Sequence, residues 1–544
     1  MPGKFTDALR AFYPVRPRKL PEKEHHRVMS RARMEKVGGL HVLYLSGMPY
    51  EMGYQHGVLA RELIRQFRAE AYAYVETLVP IPRFLARPAL FYYASAYWET
   101  IPADLREEMK GIADGAGAHP VEVLVATAIW EMLITSGCSE FAAISPYTPD
   151  GSIIHGYNYD LMQPEHAIIQ PYLAAIFYRP SEGLPFMTVN TVGSVGANAG
   201  LNDAGISVAW DDTHLNTNEL FKDIKGKAVP FIITLRKILQ NARSIDEAVD
   251  IALKGLPRPF GDIIIIGSAA ENSAIALETA GTLHARRPMV GGAVWSTNCF
   301  RSEELARYDK RGNWRECPKE EEWQRFPRFT AYTELFEKHH GKLDATAAAS
   351  FLRDPYPREA EGFLHPNISP RATICRDITS FSMIMKAREK RVWVSDIQVP
   401  GCQGNFYAFD FAGQRRLPEL DIPATGYHHA LKCAELFQSG DYVKSRLFLD
   451  QAIAVDGETL PLLLMRAALE AMGGNEEAAR GTLAGVVARW GETIPGKLAE
   501  CWLNPGRKDE VAAVPFPSAI KPLLWFKAGE QWSERVVANS TTGS

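Results

Sequence analysis

The cluster Tyr147-Thr148-Pro149-Asp150-Gly151 is a turn signal strong enough to constrain everything around it. Short runs flank it, 140–145 on one side and 152–157, with Ile153 and Ile154, on the other. Two such runs about a Pro-Asp-Gly turn predict a β-hairpin, and an antiparallel hairpin returns its second strand beside its first. Cys138, at the mouth of the first strand, and Asp160, just past the end of the second, are therefore expected to finish as neighbours. A thiol beside a carboxylate, in the setting Ser136-Gly137-Cys138-Ser139, is a candidate nucleophilic site. These facts alone leave open a buried, inert cysteine, since cysteine is among the most buried residue types.

The hairpin marks a change of character. Ahead of it, residues 1–38 are basic and Pro-spotted, an arm expected to pack loosely or wrap the domain. A short strand is expected at 41–45. Helices are expected over 51–67, where Val58, Leu59, Leu63, Ile64 and Phe67 keep helical spacing, and over 84–98, 103–113 and 119–135. Pro120 suits the first turn of the last of these. Behind the hairpin, strands are expected at 167–178, 186–192 and 205–210, then helices at 229–241 and 245–254. Ser244 with Glu247 three residues on is a capping-box signature for the second helix. Strands return at 262–267, 273–279 and 294–297, a helical stretch covers 318–353, and strands at 372–375, 380–386 and 391–395 complete the pattern. Composition and periodicity assign the α+β class.

From about 416 the chain is nearly pure helix. Gly440-Asp441-Tyr442 with Ser445 and Ala452 recurs as Gly474-Asn475-Glu476 with Ala479 and Val486, a shift of 34 residues. That period matches tetratricopeptide helix pairs, with an ordinary helical hairpin as the alternative. Two repeats are too few to stand alone, so this unit, placed at 424–505, is expected to pack on the rest as a structural or dimerising appendage. A Pro-containing polar tail, 506–544, follows.

At 544 residues the chain is long enough for two to four domains. A formal charge of −4 supplies no electrostatic reason to expect nucleic acid. No signal peptide or membrane-spanning run is apparent, so a cytoplasmic location is expected. Seven scattered cysteines (138, 299, 317, 375, 402, 433 and 501) without a Cys-x-x-Cys suit reduced thiols. The adjacent pairs His25-His26, His339-His340 and His428-His429 diverge on a helix or strand and make poor metal clamps, so no metal or other cofactor is expected.

Six stretches taken in order carry a resemblance. They are 46–57 (Gly47, Glu51, Gly53, Gly57), 107–117 (Glu108, Gly111, Gly115), Gly137-Cys138-Ser139 with Tyr157-Asn158-Tyr159-Asp160, 200–206, Ser296-Thr297-Asn298-Cys299-Phe300, and Thr373-Ile374-Cys375-Arg376-Asp377. Together, over about residues 40–410, they resemble the acyl-coenzyme A:6-aminopenicillanic acid acyltransferase family of the N-terminal nucleophile (Ntn) hydrolases, relatives of choloylglycine hydrolases and acid ceramidase. The resemblance implies a four-layer αββα sandwich at 138–415. It also implies a largely helical pro-segment at 1–137 that becomes the smaller chain when the polypeptide cuts itself between Gly137 and Cys138.

Amide cleavage needs a nucleophile, a base and donors aimed at the oxyanion. A freed Cys138 brings its thiol together with an α-amine, a group that ordinarily titrates near pH ~8 and so suits a general base. Glycine at 137 permits unusual φ/ψ and leaves the carbonyl open to attack. By the resemblance, Asp160 holds the new amine, Asn298 is an oxyanion donor, and Asn202 sits where relatives place a backbone oxyanion donor. As bare residues, all three also suit turns or strand ends. Arg376 is read as a bidentate binder of a substrate carboxylate or as a structural ion-pair residue, with Arg371 competing for the assignment. Cys299 and Asp377 replace histidines of the relatives. Tyr157, assigned to substrate binding, stands where choloylglycine hydrolases carry arginine. Gly193-Ser194-Val195-Gly196 lacks the first glycine of a Gly-x-Ser-x-Gly elbow, since Val192 occupies that place.

The resulting expectation is a self-processing cysteine amidohydrolase or acyltransferase acting on a small-molecule or peptide amide or a thioester, with a possible acyl donor. No nucleic-acid or membrane partner is expected, and the helical unit is a candidate surface for a homo-oligomer. The alternatives are an uncut thiol hydrolase pairing Cys138 with His155, and a silent scaffold whose helical unit binds a partner.

Overall fold

The computed structural model describes residues 17–78, 83–128, 137–161, 165–213, 215, 220, 228–309, 325–354, 373–376, 378–397, 400–491 and 494–504. The start of the expected arm, Arg371, the end of the expected helix at 119–135 and the polar tail lie outside the described residues.

The arm contains α1 (Glu22–Met29) and β1 (Arg33–Val37), which pairs antiparallel with β2 (Leu40–Gly47). Helices α2 (Pro49–Leu59), α3 (Arg61–Leu78), α4 (Arg83–Ser95), α5 (Ala103–Ala116) and α6 (Pro120–Ala128) follow. The single helix expected over 51–67 is two, because Ala60, with φ −101° and ψ 15°, interrupts the α geometry. The glycine spacings of 46–57 and 107–117 have a mechanical reason. A Cβ on Gly53 would fall 2.0 Å from the Glu108 carbonyl oxygen, and one on Gly111 would fall 2.2 Å from that of Tyr50. Thus α2 and α5 approach backbone to backbone, which side chains at these positions would forbid.

The chain continues through β3 (Ser139–Ala143), β4 (Ile154–Asp160), α7 (Glu165–Ile169), β5 (Leu173–Pro180), β6 (Phe186–Thr191), β7 (Ala199–Asn202) and β8 (Ile206–Thr213). Then come α8 (Phe231–Asn241), α9 (Ile245–Lys254), β9 (Arg258–Ser268), β10 (Ser273–Gly281), β11 (Leu283–Pro288) and β12 (Ala293–Ser296). The core closes with α10 (Arg325–Lys338), α11 (Ala345–Leu352), β13 (Thr379–Lys386), β14 (Arg391–Ser395), β15 (Phe406–Asp410) and β16 (Arg415–Arg416). The Ser244 hydroxyl caps α9 by accepting from the Glu247 N–H at 3.1 Å, as the motif predicts.

Two strand expectations fail, and one strand goes unforeseen. Residues 167–169 are helical, and the strand expected over 167–178 begins only at Leu173. Residues 373–375 bend instead of forming a strand, with the Cys375 N–H given to the Asp354 carbonyl at 2.8 Å. Strand β11 escapes sequence reading because it closes one edge of a sheet and exposes His284 and Arg286, so its apolar alternation is weak.

The strands form a nine-stranded sheet in the order β1-β2-β5-β6-β7-β8-β9-β10-β11 and a seven-stranded sheet in the order β12-β3-β4-β13-β14-β15-β16. The sheets pack face to face, β3 lying against β8 and β9. Helices α8 and α9 cover the nine-stranded sheet, while α10 packs on β12 and α11 on β4 and β13. This is the expected αββα arrangement with a helical appendage. Period-two alternation assigns the faces of β3. Phe141 and Ala143 pack with Tyr332, Phe336 and Phe351 under the helices, whereas Cys138 and Ala142 join the cluster between the sheets. The helical segment before Cys138 is tied to this core by a fully buried ion pair, Arg236 of α8 with Glu108 of α5 at 2.8 Å.

Beyond residue 426 come α12 (Tyr427–Ser439), α13 (Tyr442–Asp456), α14 (Leu460–Met472), α15 (Glu476–Trp490) and α16 (Ile494–Leu503). Helices α13 and α15 are offset by 34 residues at both ends and are capped alike, Asp441 accepting from the Lys444 N–H and Asn475 from the Ala478 N–H. Their buried residues also match, Ser445, Leu449 and Ala452 against Ala479, Leu483 and Val486. Among the described residues no helix is long and apolar enough to cross a membrane.

Candidate active site

Strand register assembles the site. Ser139 pairs with Asn158 across β3 and β4, so continuing the ladder sets Cys138 opposite Tyr159 and Gly137 opposite Asp160. The Gly137 N–H donates to the Asp160 carbonyl at 3.2 Å. On the other flank Ser296 of β12 pairs with Glu140, and the same ladder continued sets Asn298 opposite Cys138. Thr379 of β13 pairs with Asp160. Four neighbouring strand ends thus bring Cys138, Asp160, Asn298 and Arg376 together, although they span more than 200 residues of sequence.

Two buried arginines hold the peptide at 137–138. Arg376 Nη1 donates to the Gly137 carbonyl at 3.1 Å and approaches Asp160 Oδ2 at 3.3 Å, forming an ion pair. The Thr379 hydroxyl donates to Asp160 Oδ1 at 2.7 Å. A Cβ at 137 would lie 2.2 Å from Arg376 Nη1, so any side chain there would displace the guanidinium. Arg328 of α10 donates from Nη1 to the Cys138 carbonyl at 2.6 Å and from Nη2 to Asn298 Oδ1 at 2.8 Å. Its second amine also reaches the Thr297 carbonyl at 3.3 Å.

The Cys138 thiol is inaccessible to solvent and accepts a hydrogen bond from the Tyr157 hydroxyl at 3.3 Å. Burial pushes it well above the ordinary thiol range, and the negative fields of Asp211, Asp212 and Asp160 push it further. Burial also raises Asp160 to about 6, against the pull of Arg376 and Arg328, and raises Asp211 to about 7. In the uncut chain the thiol is therefore the neutral member of a crowded acidic pocket.

Asn298 adopts the left-handed conformation, φ 64°, which asparagine tolerates better than other side chains. Its backbone N–H donates to Asp211 Oδ2 at 3.2 Å, and its amide donates to Asp212 O and Oδ1 at 2.8 and 2.9 Å. Asn202 is not brought to the site. It holds the β7–β8 turn to the end of α8, donating to the Leu239 and Ala242 carbonyls and accepting from the Ile206 N–H. Asp211 lies five residues farther along β8 than Ile206, about 17 Å at the usual rise per residue. His155 also lies apart, since it pairs with Ala142, four positions along β3 from Cys138. There it bonds the Ser207 hydroxyl at 3.0 Å and faces Glu140 at 3.6 Å, and burial lowers it to about 3. The uncut Cys-His alternative has no geometry behind it.

Sequence reading missed Arg328, Asp211, Asp212 and Thr379. None sits in a motif with short-range spacing to Cys138, and α10 and β8 reach the site only when the layers close. Asp211 and Asp212 left one signal, two adjacent acids ending an otherwise apolar strand.

A family model described as acyl-coenzyme A:6-aminopenicillanic acid acyl-transferase matches residues 147–378, a span that begins after Cys138 and includes Asp160, Asn298, Arg328 and Arg376. A protein of Archaeoglobus fulgidus is 27% identical over 285 residues, covering 46% of this chain and 45% of that protein. Protein dcd1B of Dictyostelium discoideum is 27% identical over 261 residues, covering 44% and 50%. The chain thus spans about half the length of the curated relatives it matches. Among solved structures, the Caenorhabditis elegans N-acylethanolamine-hydrolyzing acid amidase ortholog is similar at 16% identity and a TM-score of 0.34, over 46% of this chain and 93% of that one. The family likeness thus rests on residues 147–378, which are similar to the acyl-coenzyme A:6-aminopenicillanic acid acyl-transferase family.

Proposed function

We propose that the chain cuts itself between Gly137 and Cys138 and then works as an N-terminal-cysteine amidohydrolase or acyltransferase. The observation that carries this reading is the Arg376 guanidinium on the Gly137 carbonyl, beside the Cys138 thiol and the Asp160 carboxylate. When the thiol attacks that carbonyl, negative charge develops on an oxygen already facing a cationic donor, the arrangement that stabilises tetrahedral intermediates. The peptide nitrogen of Cys138 leaves with a proton, an ester-type intermediate at the sulfur is hydrolysed, and the nitrogen becomes an α-amine. Asp160, across the strand pair, is placed to hold that amine as it takes up the proton of the next attack.

In turnover the substrate acyl carbon occupies the place vacated by the Gly137 carbonyl. Asn298 then turns one amide hydrogen from Asp212 to the oxyanion, and Arg376, still paired with Asp160, turns from the Gly137 carbonyl to a substrate carboxylate. An acyl-Cys138 intermediate passes its acyl group to water or to a bound amine. An amide is the substrate class, with a thioester as a further acyl source.

Intact-mass measurement tests the reading. The purified chain is expected as two fragments of about 15 and 45 kDa, from ~0.11 kDa per residue and a cut at the nucleophile. Cys138→Ala is expected to remain whole and inactive. A wild-type chain that stays uncut while turning over an amide would overturn the proposal.

A further inference from the structure

Away from Cys138, two thiols that this chemistry does not use lie in direct contact. The Cys402 thiol donates to the Cys375 sulfur at 3.0 Å, and both residues are fully buried. The Gln403 side-chain amine donates to the same Cys375 sulfur at 3.1 Å. The Gln403 donor favours a thiolate at Cys375, whereas the Cys402 contact disfavours it. Burial also disfavours it and keeps the Cys375 thiol above its ordinary range, so its reactions are slow compared with those of an exposed thiol.

A cavity of about 430 Å³ lies where the core meets the helical unit, lined by Arg353, Gln403, Tyr427 and Asp456 among others. Tyr427, the first residue of α12, shares a buried cluster with both cysteines, and Gln403 joins the cavity wall to the Cys375 sulfur.

We propose that Cys375 and Cys402 form an oxidation site, closed to a disulfide by a peroxide-class oxidant entering from this cavity and read out at the scissile peptide through Arg376. The Cys375 thiolate attacks a peroxide oxygen, the O–O bond breaks, and hydroxide leaves a sulfenic acid. The Cys402 sulfur then attacks the sulfenic sulfur, the S–O bond breaks, and water leaves. In sum two thiols lose two electrons and two protons, and one peroxide becomes two waters. A disulfide needs its sulfurs about 1 Å closer than they stand, near 2.05 Å. Cys375 is the chain neighbour of Arg376, whose guanidinium holds the Gly137 carbonyl and Asp160, so the pull falls on the residue that clamps the cleavage site. The bond itself is independent of the acyl-enzyme reading, whereas its effect on cleavage and turnover rests on it.

Bond formation is tested in the full-length Cys138→Ala chain, with Cys138→Ser as a second background, treated with hydrogen peroxide. The expected result is a loss of about 2 Da and a peptide pair joining Cys375 to Cys402, reversed by dithiothreitol. Alkylation of both cysteines in the unfolded protein after peroxide would overturn the site. Coupling is tested in the active chain against Cys402→Ser. Peroxide followed by dithiothreitol is expected to remove and restore at least fivefold in activity only where Cys402 is present. Equal, dithiothreitol-independent losses in both would overturn the link to Arg376.

Discussion

The strand ends around Cys138 and the helical unit at 427–503 solve opposite packing problems. In the helical unit, α13 and α15 bury the same three positions of each repeat, all small or aliphatic apart from the Ser445 hydroxyl, which donates to the Cys433 carbonyl. Its contacts are short in sequence and mostly apolar. Around Cys138, the carboxylates Asp160, Asp211 and Asp212 share an unexposed space with Arg328 and Arg376, drawn from segments far apart in the chain. Apolar burial is stabilising at nearly every contact, whereas buried charge is tolerable only when each group keeps its partners. The helical unit is thus held mainly by apolar burial, and the strand ends depend on each buried charge keeping its partner.

The largest effect expected from breaking that contrast is at Arg328. Arg328→Met leaves the Cys138 and Thr297 carbonyls and Asn298 Oδ1 without the donor that Arg328 supplies. A loss on the order of 3–5 kcal/mol is expected from denaturant melts, as for other broken buried charge networks. Self-cleavage should fail as well, because the Cys138 carbonyl and Asn298 lose their common anchor. Normal cleavage in this variant would show that Arg328 is dispensable for positioning.

The pH dependence of stability is the next effect. Asp211 stands at about 7 and Asp160 at about 6, both above the ordinary carboxylate value because burial disfavours their charge. The folded protein therefore keeps protons that the unfolded chain releases near pH ~4. This contribution is fully present below about pH 4 and is lost as pH rises through about 6 to 7. Measured as Tm of uncut Cys138→Ala, stability should fall between about pH 4 and 7, and Asp211→Asn should flatten the upper part of that fall. An unchanged slope in Asp211→Asn would assign the titration elsewhere.

The smallest effect is in the repeat. Leu483→Ala is expected to lower the stability of the helical unit by about 2–3 kcal/mol, within the usual range for a buried leucine. Cleavage at Gly137 should be unaffected, as followed by intact mass. Slower cleavage in Leu483→Ala would mean that the two regions fold as one cooperative unit and that the contrast between them is too sharp.

Much of this was legible in the residues themselves. The Pro-Asp-Gly turn placed Cys138 beside Asp160, because an antiparallel hairpin leaves no other return path. The 34-residue shift aligned Asp441 with Asn475, and the structure makes both of them helix caps, because each helix pair repeats its own local packing. The helix break at Ala60, the bend at 373–375 and edge strand β11 were not legible, since tertiary neighbours override weak local preference there. Asn202 shows the same limit, as a turn asparagine has the same local sequence whether it serves a reaction or the end of a helix.

The hairpin, the helical repeat, the family resemblance and the choice of Cys138 all follow from the order of the residues, because each depends on close neighbours in the chain or on a motif. That Arg328, Asp211 and Asp212 surround the thiol, and that Cys375 touches Cys402, emerges only once the layers are assembled. Electrostatic and thiol contacts reach across layers, and no period or spacing along a chain records which layers will meet.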